Sequence, residues 1–220
     1  MAETMRAIQV RTPGGPDALE AVELAIPACG PGQVRVKASA IGAGGPDVLI
    51  RKGIYKWMPP LPAIPGNEMV GVIEAVGEGV ASSLLGRRVL VSSRELPERG
   101  GCYAEYISVP ADAPFLLPDE IPDADACSLG NVQLAQALLL GVPAVQPLRS
   151  ILVPGAAGGV ATALTQLAAF HGITVIGTAS TPAKQAHALK HGVSILVDPD
   201  PEGLAQRVMI DLSHSNSQKN

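Results

Sequence analysis

The chain has 220 residues, 16 Lys and Arg against 20 Asp and Glu, a formal net charge of -4, and 47% hydrophobic but only 3% aromatic residues. That length admits two modest domains, each with its own core, and the aliphatic bias suits an α/β protein. No basic block offers a surface to a nucleic-acid backbone.

Met5 to Val10 predicts a first strand, and Arg11 to Pro16 a turn. Ala18 to Leu24 and Gln33 to Ala40 alternate in the strand manner around a loop at Pro27 to Gly32. The pattern breaks into a helical turn at Asp47 to Arg51, followed by Lys52 to Trp57 and the proline-rich Met58 to Pro65. Further strands are predicted at Met69 to Val76, Arg88 to Val91 and Tyr103 to Val109, which makes a mostly β domain over residues 1–122. From Asp123 the period turns helical, with Asp123 or Asp125 as caps and Leu134, Leu138 and Leu139 on one face.

Ser150 to Gly177 then reads as one βαβ unit: an apolar run, a glycine-rich turn, a helix closed by Gly172, and a second β-branched run. In the turn, Gly155-Ala-Ala-Gly158-Gly159-Val-Ala161, residues without bulky side chains let a backbone approach a pyrophosphate at a helix N-terminus. In the G-x-G-x-x-G/A spacing, Ala156 takes the first position, Gly158 the central one and Ala161 the third. The turn by itself also fits an ordinary tight strand-to-helix connection. Pro154 removes a backbone donor at the end of a central strand. Ser194 to Asp198 predicts a third strand, Glu202 to Leu212 a helix, and residues 213–220 a polar tail.

Cys29, Cys102 and Cys127 are too few and too scattered for a disulfide scaffold or a metal knuckle. The N-terminus lacks an apolar h-region, and the greasiest stretch, Leu134 to Val145, is too short to span a bilayer. A cytoplasmic protein without membrane contact is expected.

Several blocks, in order along the chain, carry a resemblance. Ala40-Ile-Gly42 through Asp47, Arg51-Lys-Gly-Ile-Tyr55, Pro65-Gly66-Asn67-Glu68 with Gly71, Gly101-Cys-Tyr-Ala-Glu-Tyr106 and the glycine-rich turn are similar to the zinc-independent quinone oxidoreductases of the medium-chain dehydrogenase/reductase superfamily. The resemblance implies a GroES-like mostly-β N-terminal domain followed by a Rossmann parallel-sheet domain, here partial, over residues 123–212. It also implies NADPH, hydride transfer to a small-molecule quinone or activated enone, and a homodimer.

On this resemblance Tyr55 lies near nicotinamide and substrate, with Asp47 and Glu68 as the other candidate catalytic residues. Tyr55 also fits a loop tyrosine capping the domain surface, and Glu68 a glutamate at a strand end. Cofactor-binding positions are Ala156, Ala157, Gly158, Gly159 and Val160 in the turn, with Gly177, Thr178, Ser180 and Lys184 beyond it. Where an NAD enzyme places an acid, this chain has Gly177-Thr178-Ala179-Ser180, so a 2′-phosphate is expected on Ser180, Thr181 and Lys184. Lys184 equally fits an exposed helix lysine.

No catalytic zinc is expected, because the ligand positions hold Gly44 or its neighbours and Asn67. Other departures from the family pattern are Gly44-Gly45, Gly86-Arg87-Arg88 and Leu134-Ala135-Gln136. The chain stops after about half of the expected Rossmann domain, so a C-terminally truncated relative is expected. The competing reading is a non-catalytic nucleotide-binding or interaction module.

Overall fold

The computed structural model describes residues 3–141 and 147–209, and the chain divides into two compact units after Leu129. Parts of the stretches 134–145 and 202–212, and the whole tail 213–220, lie outside the described residues.

In the first unit, β1 (Thr4–Gln9) pairs antiparallel with β2 (Glu20–Ala25), Thr4 opposite Ala25 and Gln9 opposite Glu20. The main sheet is built on β3 (Gln33–Gly42), which lies antiparallel between β4 (Glu68–Val76) and a later strand, β6 (Tyr106–Pro110). β5 (Arg88–Ser92) pairs with β4, and the two-residue β7 (Phe115–Leu116) with β5, giving the order β6-β3-β4-β5-β7. A bridge between Ala7 and Ala104, with Ile8 N–H donating to Tyr103 O, joins β1 to the segment ahead of β6. That segment does not extend the ladder on β3, so β6 begins at Tyr106 rather than at Tyr103.

The alternation in β3 and β4 buries Val34, Val36, Met69 and Ile73 with Val89, Val91, Cys102 and Val109 in one core. The opposite face of β4 buries Val70 with Leu90, Leu117 and Ala126. β3 and β4 slip register between Ala38 and Ala40, where Ser39 is left over as a bulge with its hydroxyl oxygen 3.1 Å from Val70 O. Gly71 lies opposite Ala38, where the backbone of Lys37 comes close.

The helix α1 (Gly45–Arg51) follows β3, as the break in alternation predicts. α2 (Asp123–Ala126) begins after Pro122 and packs on β3 and β4 within the first unit. Asp123 and Asp125 are not caps: Pro122 holds the N-cap position, and no side chain closes the helix end. Asp123 is drawn instead to Arg88, whose Nε lies 2.6 Å from its Oδ1 while the rest of the guanidinium donates to Pro118 O and Ile121 O. Hydrogen bonding from Ser39 and Arg88 lowers the Asp123 carboxyl below its ordinary range.

The boundary falls one residue into α3 (Leu129–Gln136), which continues as a wider π turn over Ala137–Gly141. The change of spacing separates the expected apolar face: Leu139 is buried, whereas Leu138 is exposed. Three parallel strands follow, β8 (Ser150–Val153), β9 (Thr174–Thr178) and β10 (Ile195–Val197), in the order β10-β9-β8. The ladder of β8 ends at Val153, so Pro154 lies outside it and costs no strand hydrogen bond. α4 (Gly159–Phe170) connects β8 to β9, and α5 (Pro182–Lys190) connects β9 to β10. Val153, Ala156, Ala168, Ile173, Val175, Ala188 and Val193 form the core of this α/β unit. Among the described residues, no helix is long and apolar enough to cross a membrane.

Candidate functional site

In the β unit, Asp47 is the centre of a buried polar cluster, only 5% exposed on α1. Its Oδ2 accepts from Gly44 N–H at 2.7 Å and from the Tyr103 hydroxyl at 3.2 Å. Its Oδ1 accepts from Gly66 N–H at 3.1 Å and from Asn67 Nδ2 at 2.7 Å. The Ser93 hydroxyl then donates to Asn67 Oδ1 at 2.6 Å, so both ends of that amide are engaged. With four donors on its two oxygens, Asp47 is a structural hub for three loops and offers no free lone-pair direction to a substrate proton.

Glu68, the first residue of β4, is half-buried beside this hub. Burial, followed by the Asp47 charge, pushes its carboxyl above the ordinary range, against a smaller opposing pull from Arg94. Burial and then the Asp47 charge also raise the Tyr103 hydroxyl, which keeps its proton on the donor side of the bond to Asp47. Burial raises Cys102 strongly and Cys127 to a lesser degree, with Glu68 adding to both, which favours the neutral thiol over the thiolate in each.

The sign of the Glu68 shift leads to a test. A carboxyl whose folded value is raised leaves folding unaffected below the unfolded value and opposes it increasingly as pH rises through the folded one. Glu68→Gln is therefore expected to stabilise the chain at neutral pH and to lose that advantage as pH falls through the carboxylate range, read as Tm against pH.

Tyr55 lies elsewhere, on the loop after α1, half-buried and edge-on to Trp57 at 5.7 Å between ring centroids. Trp57 is exposed and flanked by Lys56 Nζ at 5.1 Å and Arg99 Cζ at 5.8 Å from its ring. Among the described residues, the Tyr55 hydroxyl has no protein hydrogen-bond partner and does not join the Asp47 cluster. A cavity of the unit, about 900 Å³, opens along β1, β2 and Ala38 to Ala43 and reaches Tyr103; neither Glu68 nor Tyr55 lines it.

In the parallel-sheet unit, the carboxyl ends of the strands form a pocket of about 330 Å³. Gly155, Ala157, Gly158, Thr178, Ala179, Ser180, Lys184 and Pro199 line it. Five of the nine expected cofactor residues therefore meet around one space: Ala157, Gly158, Thr178, Ser180 and Lys184. Gly158 is the N-cap of α4 and supplies no side chain to the free N–H groups of its first turn. α5 begins differently, with Thr181 Oγ1 accepting from Lys184 N–H at 3.3 Å.

The remaining four residues support the pocket from outside. Ala156 is fully buried, its N–H donating to Thr178 O at 2.9 Å. Gly177 is buried under it: a Cβ there would lie 2.9 Å from Ala156 Cβ and 2.8 Å from a Val193 methyl, so its lack of a side chain serves packing. Gly159 and Val160 start α4, where Asn131 Nδ2 would be 3.0 Å from a Cβ on Gly159. Thr178 is also buried and receives Gly155 N–H on its hydroxyl at 3.2 Å. Sequence reasoning missed Pro199 as a lining residue, although it follows the third strand and so belongs to the same strand ends. The hydrogen-bonding of Tyr103 and Ser93 was missed because it joins residues 56 and 26 positions away, Asp47 and Asn67.

Comparison with known proteins follows this division. Residues 30–119 match the model of the alcohol dehydrogenase GroES-like domain. The chain is 39% identical over 183 residues to the Homo sapiens synaptic vesicle membrane protein VAT-1 homolog, covering 82% of this chain and 45% of that protein. It is 35% identical over 190 residues to the Sus scrofa quinone oxidoreductase, covering 86% of this chain and 56% of that one. The crystal structure of Escherichia coli quinone oxidoreductase complexed with NADPH superposes with a TM-score of 0.84 at 30% identity, over 96% of this chain and 63% of that one. The chain thus spans about half the length of the curated relatives it matches. Shared sequence across both units and a shared fold place the chain in the quinone oxidoreductase family of the medium-chain dehydrogenases/reductases, as a GroES-like β domain followed by a partial Rossmann-type unit.

Proposed function

We propose that the chain binds NADPH at the end of its parallel sheet and serves a zinc-independent reduction of quinones or activated enones. The observation that carries this reading is the pocket at Gly158, which joins an uncapped helix N-terminus to Ser180 and Lys184 and is lined by no carboxylate. A helix N-terminus suits a pyrophosphate, and an ammonium and a hydroxyl suit a 2′-phosphate. The Escherichia coli relative complexed with NADPH supports the same choice.

In this reading NADPH supplies the hydride. The chain's residues bind and orient: the Gly158 turn takes the pyrophosphate, Ser180 and Lys184 the 2′-phosphate, and Tyr55 the substrate carbonyl. Asp47 acts as a positioning residue that holds the loops around Glu68. Zinc independence is supported by the donors present, since the amide of Asn67 is occupied by Asp47 and Ser93 and Gly44 has no side chain. A cytoplasmic location, a small-molecule substrate and homodimerisation belong to the same proposal.

Titration of the purified chain with NADPH and NADH tests it. NADPH is expected to bind more tightly, and Lys184→Ala to weaken NADPH about tenfold while leaving NADH unchanged. Gly158→Ala separates the pocket from the fold: the added Cβ would lie no nearer than 3.4 Å to Gly155 O, so the chain stays folded while NADPH binding weakens. Equal affinity for the two nucleotides, or none in a folded chain, would sink the proposal. NADPH binding without turnover of any quinone or enone would favour a nucleotide-binding module instead.

A further inference from the structure

His187 and His191 stand four residues apart, the first on α5 and the second at its C-cap. Their ring centroids are 4.4 Å apart, with the planes tilted by 42°. Each ring is held by a side chain of α4: Thr162 Oγ1 lies 3.1 Å from His187 Nε2, and the Gln166 amide nitrogen 3.0 Å from His191 Nδ1. Thr162 and Gln166 are themselves four apart, so one helix face presents two imidazoles and the facing helix presents their two supports. The backbone is fixed as well, because the buried Thr165 hydroxyl donates to His191 O at 2.6 Å.

From this arrangement we propose a two-imidazole site for a divalent transition-metal ion of the nickel, copper or zinc type. Metal–nitrogen distances near 2.0–2.1 Å place two imidazoles at adjacent positions on one ion with centroids roughly 4.5–5 Å apart, close to the separation present before any ion binds. A tilt of 42° is also far from the parallel stacking that would hold the rings for their own sake. The remaining nitrogens, Nδ1 of His187 and Nε2 of His191, have no protein partner among the described residues. The contacts to Thr162 and Gln166 are of the kind that set the tautomer and orientation of ligating histidines; turning the Gln166 amide over presents its oxygen to an Nδ1 proton. Imidazole pairs select ions in the order that rises from nickel to copper, and two ligands leave the other positions to water. The site is separate from the nucleotide pocket, whose lining includes neither histidine.

Calorimetric titration of the purified chain with Ni²⁺ tests the proposal, with Mg²⁺ as control. One Ni²⁺ per chain is expected, together with a rise in Tm that grows with Ni²⁺ concentration and is absent with Mg²⁺. His187→Gln and His191→Gln are each expected to abolish saturable binding, His171→Gln to leave it unchanged, and Thr162→Val to weaken it about tenfold. Circular dichroism checks that the variants fold. If they do not, electron paramagnetic resonance of the wild-type chain loaded with one Cu²⁺ decides, since two coordinated imidazole nitrogens are expected. Unaltered Ni²⁺ binding in the folded His187→Gln/His191→Gln double variant, no saturable binding by the wild type, or a copper signal without two nitrogens would overturn it.

Discussion

Asp47→Ala is expected to destabilise the β unit by about 3–5 kcal/mol, since several buried donors lose their acceptor together. Gly44 N–H, Gly66 N–H, Asn67 Nδ2 and the Tyr103 hydroxyl all point at the carboxylate, and Asp47 itself is only 5% exposed. Asp47→Asn, which turns one acceptor into a donor facing donors, should fall between alanine and wild type. Tyr103→Phe removes a single bond and should cost about 1 kcal/mol. Guanidinium unfolding measures all three, and an Asp47→Ala loss below that of Tyr103→Phe would show that the carboxylate is not the hub.

The second large effect is expected at Gly71, in the middle of β4. A Cβ there would lie 2.1 Å from Lys37 O and 2.8 Å from a Val36 methyl. The nearer obstacle is backbone of the neighbouring strand, which cannot swing aside as a side chain can. Gly71→Ala should therefore either push β3 and β4 apart beside the Ser39 bulge or prevent the pairing, at a cost of about 2–4 kcal/mol. Alanine at Gly45, where a Cβ would meet nothing within 4 Å, is the matched control and should change stability little. A Gly71→Ala chain as stable as the control would mean that the two strands separate easily.

The alternation of β3 and β4, the helical turn after β3 and the strand–turn–helix–strand at 150–178 were legible in the sequence because each is a local pattern. So was the pocket at the strand ends, since parallel strands bring successive carboxyl ends together whatever lies between them. The cluster around Asp47 was only partly legible. Its aspartate and Glu68 stood out, but the bonds that define it come from residues up to 56 positions away, and no periodicity carries that information. Gly177 shows a different limit. It reads as a nucleotide contact in the motif, yet Ala156 and Val193 press on it from both sides, which only the packed unit reveals. The caps of α2 misled for an electrostatic reason: a guanidinium from β5 outcompeted the helix end for Asp123.

The hub at Asp47 also has a consequence for variation. By bonding Gly66, 19 residues on, it closes the segment that carries Tyr55 and Trp57, much as a disulfide would close a loop in an extracellular domain. A carboxylate does so without regard to redox state, and the three cysteines of the chain are all free. Closure entropy grows only slowly with loop length, so insertions and replacements at the tip, where Ile54 and Trp57 are exposed, cost little as long as the base stays tied. Tyr55, proposed to meet the substrate, therefore occupies the part of the β unit freest to diverge, held by the part least free to do so.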